Sequence, residues 1–98
     1  MIQDTLRRIG LPCAYSHFTK PVKPPFLVYL GNGQTTFGAD NTWYHRANQY
    51  QIEYYFTKKD EANEKAIEDT LLEDGFNYEK SEDSYIESEG VFVIYYQI

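Results

Sequence analysis

Residues 49–57, QYQIEYYFT, alternate without a break. Tyr50, Ile52, Tyr54 and Phe56 fall on one face, and Gln49, Gln51, Glu53, Tyr55 and Thr57 on the other. A period of two is the period of a β-strand, and apolar–polar alternation marks a strand with one face on a core. This stretch therefore predicts a long, half-buried strand.

On its C-terminal side, Thr57 stands three residues before Asp60 and resembles a capping box with Asp in place of the usual Glu. Ala62, Ala66, Ile67, Thr70 and Leu71 then form a narrow stripe at helical spacing, and Glu61 and Lys65 make an i,i+4 pair. Gly75 sits where a residue just past a helix end belongs. Residues 76–80 resume extended structure. Residues 81–90, SEDSYIESEG, are polar and hold two alternative turns. Val91–Ile98, VFVIYYQI, has few polar positions and reads as a central strand buried on both faces.

On the N-terminal side, residues 38–47, GADNTWYHRA, read as a polar loop that also carries Trp43 and Tyr44. Phe26–Leu30, FLVYL, is an apolar strand, and Asn32-Gly33 after it is a strong hairpin signal with Gln34–Phe37 as the returning partner. In KPVKPP, Lys20–Pro25, each residue before a proline is pushed to extended geometry, so this segment reads as a stiff lead-in. Ile2, Leu6 and Ile9 share one helical face, closed by Gly10 and Pro12.

These readings define one α+β domain over residues 1–98. It holds two helices and one mostly antiparallel sheet of about five strands, in the order α-β-β-β-α-β-β. A short strand over Cys13–Phe18 would make six. The expected core is Ile2, Leu6, Ile9, Leu27, Tyr29, Ile52, Tyr54, Phe56, Ile67, Leu71, Val93 and Tyr95.

Composition narrows the function. Ten Tyr, six Phe and one Trp among 98 residues exceed what a small core needs, so some rings belong at the surface, where Tyr and Trp favour interfaces. A net charge of −6 argues against a general nucleic-acid binder. The charge is lopsided: residues 1–59 hold seven Lys/Arg and three Asp/Glu, residues 60–98 two Lys and twelve Asp/Glu. One cysteine, Cys13, makes no internal disulfide and suits a reducing compartment. The N-terminus lacks the apolar run of a signal peptide, and no stretch is long enough to span a bilayer. A cytoplasmic protein is expected.

Catalytic and metal chemistry find no foothold. His17 and His45 lie far apart, and with one Cys they fall short of the four donors of a zinc site. Ser16 and His17 are adjacent, so in a strand their side chains point to opposite faces. GNGQTT lacks the Lys-Ser/Thr of a phosphate loop, and the carboxylates of 79–89 lack calcium-loop spacing. No catalytic residue, cofactor or metal is expected.

FGADNTWYHRANQYQIEYYFTKKDEANEKAIEDTLLE, followed by YEKSEDSYIESEGVFVIYYQI, resembles a family of small structural proteins of tailed phages and prophages of Gram-positive bacteria, the tail terminator or head–tail joining proteins. The likeness spans about residues 24–98 and rests on PPFLVYL, the GADN turn, the Tyr-His pair, the Tyr-rich strand, the T-K-K-D helix start and YIESE, taken in order. The chain departs from the family at GNGQTT, a longer and more polar hairpin. The resemblance implies a non-enzymatic subunit of a homo-oligomeric ring, often hexameric. That ring caps the tail tube, meets tail tube and head connector proteins, and ends in the virion. A small acidic cytoplasmic protein-binding or inhibitor-like domain is the alternative. The residues expected at the assembly interface are Asp40, Asn41, Trp43, Tyr44 and Arg46 of the 38–47 loop, with Glu68 and Glu73 of the acidic second helix. Trp43 and Tyr44 folded back onto the core is the competing arrangement. No sequence-specific nucleic-acid or membrane partner is expected.

Overall fold

The computed structural model describes residues 2–39 and 43–98. Its elements are α1 (Ile2–Arg7), β1 (Cys13–Tyr15), β2 (Phe26–Ala39), β3 (Trp43–Phe56), α2 (Glu61–Glu73), β4 (Glu79–Lys80), β5 (Ser84–Ile86) and β6 (Val91–Gln97). The fold class is α+β, as the sequence suggests, with one sheet of six strands in the order β1-β2-β3-β6-β4. β5 also pairs with β6, next to Val91–Val93, while β4 takes the Tyr96–Gln97 end.

The sheet is mixed rather than purely antiparallel, because β1 runs parallel to β2 with Cys13 opposite Leu27. A parallel neighbour needs a crossover, so residues 16–25 cannot be a simple lead-in. They cross the face that carries no helix. Phe18 meets Phe26 edge-on with ring centres 5.2 Å apart, and Phe26 stacks on Tyr55 at 5.0 Å.

The helices cover the other face. Ile2 and Leu6 of α1 and Ile67 and Leu71 of α2 close over Leu27, Tyr29, Ile52, Tyr54, Phe56, Ile94 and Tyr96. The alternation read from residues 49–57 holds: Ile52, Tyr54 and Phe56 are buried. Two core assignments change. Tyr96 is fully buried where Tyr95 was expected, and Ile9 is only partly buried. VFVIYYQI carries no polar marker to set its phase. Register sets it: Tyr96 lies opposite Ile52 and Ile94 opposite Tyr54, so both share the helix-covered face.

Asn32-Gly33 is not a turn. β2 continues through it to Ala39, with a register irregularity between Gly31 and Gln34. A type I′ turn needs φ > 0 at both central residues, whereas only Gly33 adopts it, at +84°. One left-handed glycine makes a bulge and the strand runs on. The two expected strands 26–30 and 34–37 are thus one, and most of the expected 38–47 loop is strand.

α2 starts one turn later than Thr57 suggests. Asp60 is its N-cap, and its carboxylate accepts from the backbone N–H of Ala62 at 3.0 Å and of Asn63 at 3.3 Å. At the other end, Gly75 (φ +83°) donates to the Leu72 carbonyl and Phe76 to the Leu71 carbonyl, a Schellman closure. The stripe is also rotated from the sequence reading. Ala62 and Ala66 are exposed, while Glu64, Ile67 and Leu71 are buried.

The Tyr95/Tyr96 assignment has a direct test. Tyr96→Ala should cost about 3–5 kcal/mol, as for a large core aromatic. Tyr95→Ala should cost about 1 kcal/mol. Urea denaturation of the two variants checks the order.

Candidate assembly interface

The ladder between β2 and β3 is longer than the body that contains it. β1 accompanies β2 only over Leu27–Tyr29, and β6 accompanies β3 only over Gln51–Phe56. Tyr50 closes that edge by exchanging backbone hydrogen bonds with Ile98 at 3.2 and 3.0 Å. Beyond it, among the described residues, Gln34–Ala39 has Asn48–Trp43 as its only sheet partner. A two-stranded arm therefore leaves the body. At about 3.3 Å per residue, the stretch from Gly31 to Ala39 spans about 25 Å. The whole molecule measures 50 × 26 × 25 Å. Its Cα radius of gyration is 15.0 Å, against about 12.6 Å for a compact chain of this length.

The structure divides the expected interface residues. Trp43 and Tyr44 take the outermost paired positions of the arm, opposite Ala39 and Gly38, and Arg46 lies opposite Thr36. Asp40 and Asn41 lie outside the described residues. Glu68 and Glu73 belong to the body, on α2. The five described residues thus form two groups, Trp43, Tyr44 and Arg46 on the arm and Glu68 and Glu73 on the helix.

The helix group already has partners within the chain. Glu68 accepts from the Tyr96 hydroxyl at 2.8 Å and the Tyr78 hydroxyl at 3.2 Å, and pairs with Lys80 at 2.8 Å. Tyr96 is fully buried, so its hydroxyl needs an acceptor, and Glu68 supplies it. Glu73 pairs with Arg8 at 3.0 Å, and Arg8 also holds Asp74, whose other oxygen accepts from the Thr5 hydroxyl. These contacts tie α1 to the end of α2. Arg8 there offsets two carboxylates at a helix C-terminus, where negative charge is disfavoured. Lys65 pairs with Asp69 rather than with Glu61.

A buried group escapes the sequence reading. Glu64, 3% exposed, is held by Lys59 at 2.7 Å and Lys80 at 2.9 Å. Lys59 also pairs with Asp83 at 3.0 Å. Lys80 thus bridges Glu64 and Glu68, and locks β4 onto α2. Between β4 and β5 the edge ladder breaks. Ser81 fills the gap: its N–H donates to the Tyr95 carbonyl, and its hydroxyl accepts from the Tyr95 N–H at 2.8 Å. The signal for the seam was the i,i+4 pair Glu64 and Glu68, which flanks Ile67 on the stripe that faces the sheet.

Burial pushes the Glu64 and Glu68 carboxyls up, the largest single effect on each. The lysine bonds, with the tyrosine bonds on Glu68, outweigh it and hold both below the ordinary value. Burial likewise works against the Lys80 ammonium, but Glu68 and Glu64 together raise its pKa well above the usual lysine value. The Asp74 carboxyl is lowered, by Arg8 first and then by Thr5.

Among the described residues, no three His, Cys, Asp or Glu side chains come together as a metal group would, and no helix is long and apolar enough to cross a membrane. Cys13 is partly buried against the core. No protein-family model matches the chain, and no curated protein matches it.

The seam makes a pH prediction. A carboxylate whose folded pKa is lowered contributes stability that is full above its unfolded value, about 4.3 for Glu, and is lost as pH falls through the folded value. Tm should hold from pH 7 to about 5 and drop below. Removing one partner of a fully buried pair costs about 3–5 kcal/mol. The Lys80 side chain is 33% exposed, so Lys80→Ala should cost less, about 2–3 kcal/mol at pH 7. That is a Tm loss of about 10 °C or more, with a shallower acid slope. Thermal melts at pH 7, 5 and 3.5 check both.

Proposed function

We propose that this chain is a non-enzymatic structural subunit that assembles with copies of itself, as a tail terminator or head–tail joining protein whose ring sits at the end of a phage tail tube. The observation that carries the reading is the arm. A two-stranded ribbon in water is marginally stable by itself. This one extends about 25 Å from the sheet and ends at Trp43 and Tyr44, residue types that dominate interface energetics. A partner surface explains both the projection and the tip. The resemblance of residues 24–98 to the joining proteins supplies the tail tube and head connector as further partners.

Charge supports the same reading. The exposed acids of α2, Glu61, Asp69 and Glu73 among them, face solvent on the body, while Arg46 sits on the arm. Opposite charge on different faces sets register and speeds encounter more than it adds affinity. Acidic groups along a channel also keep DNA from adhering, since phosphate binding needs positive charge. The alternative, a small acidic protein-binding or inhibitor-like domain, draws on the same exposed acids and gives a monomer or dimer.

Trp43→Ala is the discriminating substitution. It should leave Tm within about 3 °C, because a substitution away from the core costs about 0.5 kcal/mol. It should weaken self-association about 30-fold, the equivalent of a 2 kcal/mol hot spot. Sedimentation across a concentration series, at low and high salt, reads both arms of the reading. A large loss of Tm with association unchanged would place the indole in the core. Glu68→Lys is unsuitable as a charge test, because it removes the acceptor of Tyr96 and the partner of Lys80.

A further inference from the structure

Both edges of the arm are open. β1 leaves β2 after Tyr29, and β6 reaches β3 only as far as Tyr50. Among the described residues, Gln34–Ala39 and Trp43–Asn48 therefore pair with each other and with no third strand. The phase of the ladder fixes which backbone groups are left over. Tyr50 exchanges both its hydrogen bonds with Ile98, so its N–H and C=O point away from β2. These groups alternate from side to side along a strand. Those of Tyr44, Arg46 and Asn48 thus point away from β2 as well, and those of Trp43, His45 and Ala47 turn toward it. On β2, the opposite residues Ala39, Phe37 and Thr35 turn inward, and Gly38, Thr36 and Gln34 point outward. An open row of N–H and C=O groups is a template for a further strand. The other edges of the sheet are blunted by shortness, since β1, β4 and β5 have three, two and three residues. The β2 edge of the arm has no such protection. From Leu30 to Ala39, LGNGQTTFGA, it holds neither a proline nor a charged residue.

Resting on the reading of the arm as the assembly element, we infer that arms add to one another edge to edge: the outward backbone groups of Gln34, Thr36 and Gly38 in one copy pair with those of Tyr44, Arg46 and Asn48 in the next. The occupant is an extended chain, because the open groups are backbone groups. A second copy fits because each chain carries both halves of the contact. β2 and β3 are antiparallel. Arms that lie side by side and point the same way therefore bring β2 of one against β3 of the next in the antiparallel sense. One contact, repeated, then pairs both edges of every arm. Foreign strands would have to be two for each chain, one for each edge. The two surfaces differ, so the contact is heterologous, and it builds a ring where the rotation closes.

The test uses the full chain. Proline removes one N–H, and an edge strand tolerates it where that N–H faces outward. Thr36→Pro therefore blocks the β2 edge and Arg46→Pro the β3 edge. By sedimentation velocity each should weaken self-association about tenfold or more, with the Tm of the body held within a few degrees. Mixed in equal amounts, they should form a species of two subunits and stop there, since one intact β2 edge meets one intact β3 edge. Should either variant fail to fold by circular dichroism, amide hydrogen exchange on the wild-type chain decides: the N–H groups of Gln34, Thr36 and Gly38 should exchange more slowly in the assembly than in dilute monomer. Equal exchange in both would overturn edge pairing. If Thr36→Pro weakens association and Arg46→Pro does not, two β2 edges pair about a two-fold axis and the head-to-tail contact falls. If Trp43→Ala weakens association and neither proline does, the arm docks through its tip alone. Edge pairing then falls while assembly through the arm stands. If the wild-type chain stays monomeric throughout, both fall.

Discussion

The antiparallel pairing of β2 with β3 runs from Phe26 opposite Tyr55 to Ala39 opposite Trp43, with one irregularity at Gly31–Gln34. Within the body, this ladder presents Leu27, Tyr29, Ile52, Tyr54 and Phe56 to the helices and receives β1 and β6 on its two edges. Beyond the body, the same ladder becomes the arm. Neither strand can slip by one residue, because a slip turns every buried side chain to the opposite face. The core therefore fixes the register, and the register fixes where the arm points. Gly33 matters for that reason. Its left-handed conformation absorbs an extra residue at the root of the arm, where a bulge increases twist and re-aims the strands beyond.

A second constraint works across the layers. The face of α2 that lies on the sheet is not wholly apolar, since it carries Glu64 and Glu68 beside Ile67 and Leu71. Buried carboxylates are tolerated only when paired and hydrogen-bonded. Lys59, Lys80 and the Tyr96 hydroxyl meet that demand from the connection just before α2, from β4 and from β6. The result is directional. The helix face is held by two lysines and one tyrosine hydroxyl, each at a fixed place in the fold. The two-residue strand β4, too short to be held by its ladder alone, gains its anchor through Lys80.

Much of this was legible in the residues, and the failures have physical causes. The alternation of 49–57 and the helix-ending Gly75 depend on local geometry, and both read correctly. Asn32-Gly33 misleads because the turn signal and the bulge signal share a glycine with positive φ, and only the pairing partner tells them apart. In VFVIYYQI, adjacent tyrosines are locally equivalent; register against Ile52 chooses between them. The rotated stripe of α2 escaped because acids at helical spacing look like a solvated face until lysines from other elements appear opposite them. Trp43 and Tyr44 point to residues 38–47 as an assembly surface from residue type alone. That it is the end of an extended ladder depends on long-range pairing, which no local pattern encodes.

The proposed function needs a body that folds and an arm that assembles, and trimming the arm tests that division most directly. Thr35 and Ala47 lie directly opposite each other, so replacing residues 36–46 by Asn-Gly closes the ladder with a two-residue turn. The mass and Tm of this variant should be measured beside those of the full-length chain. The account predicts a Tm within a few degrees of the parent and a monomer at concentrations where the parent assembles. A trimmed chain that still assembles, or one that no longer folds, would contradict it.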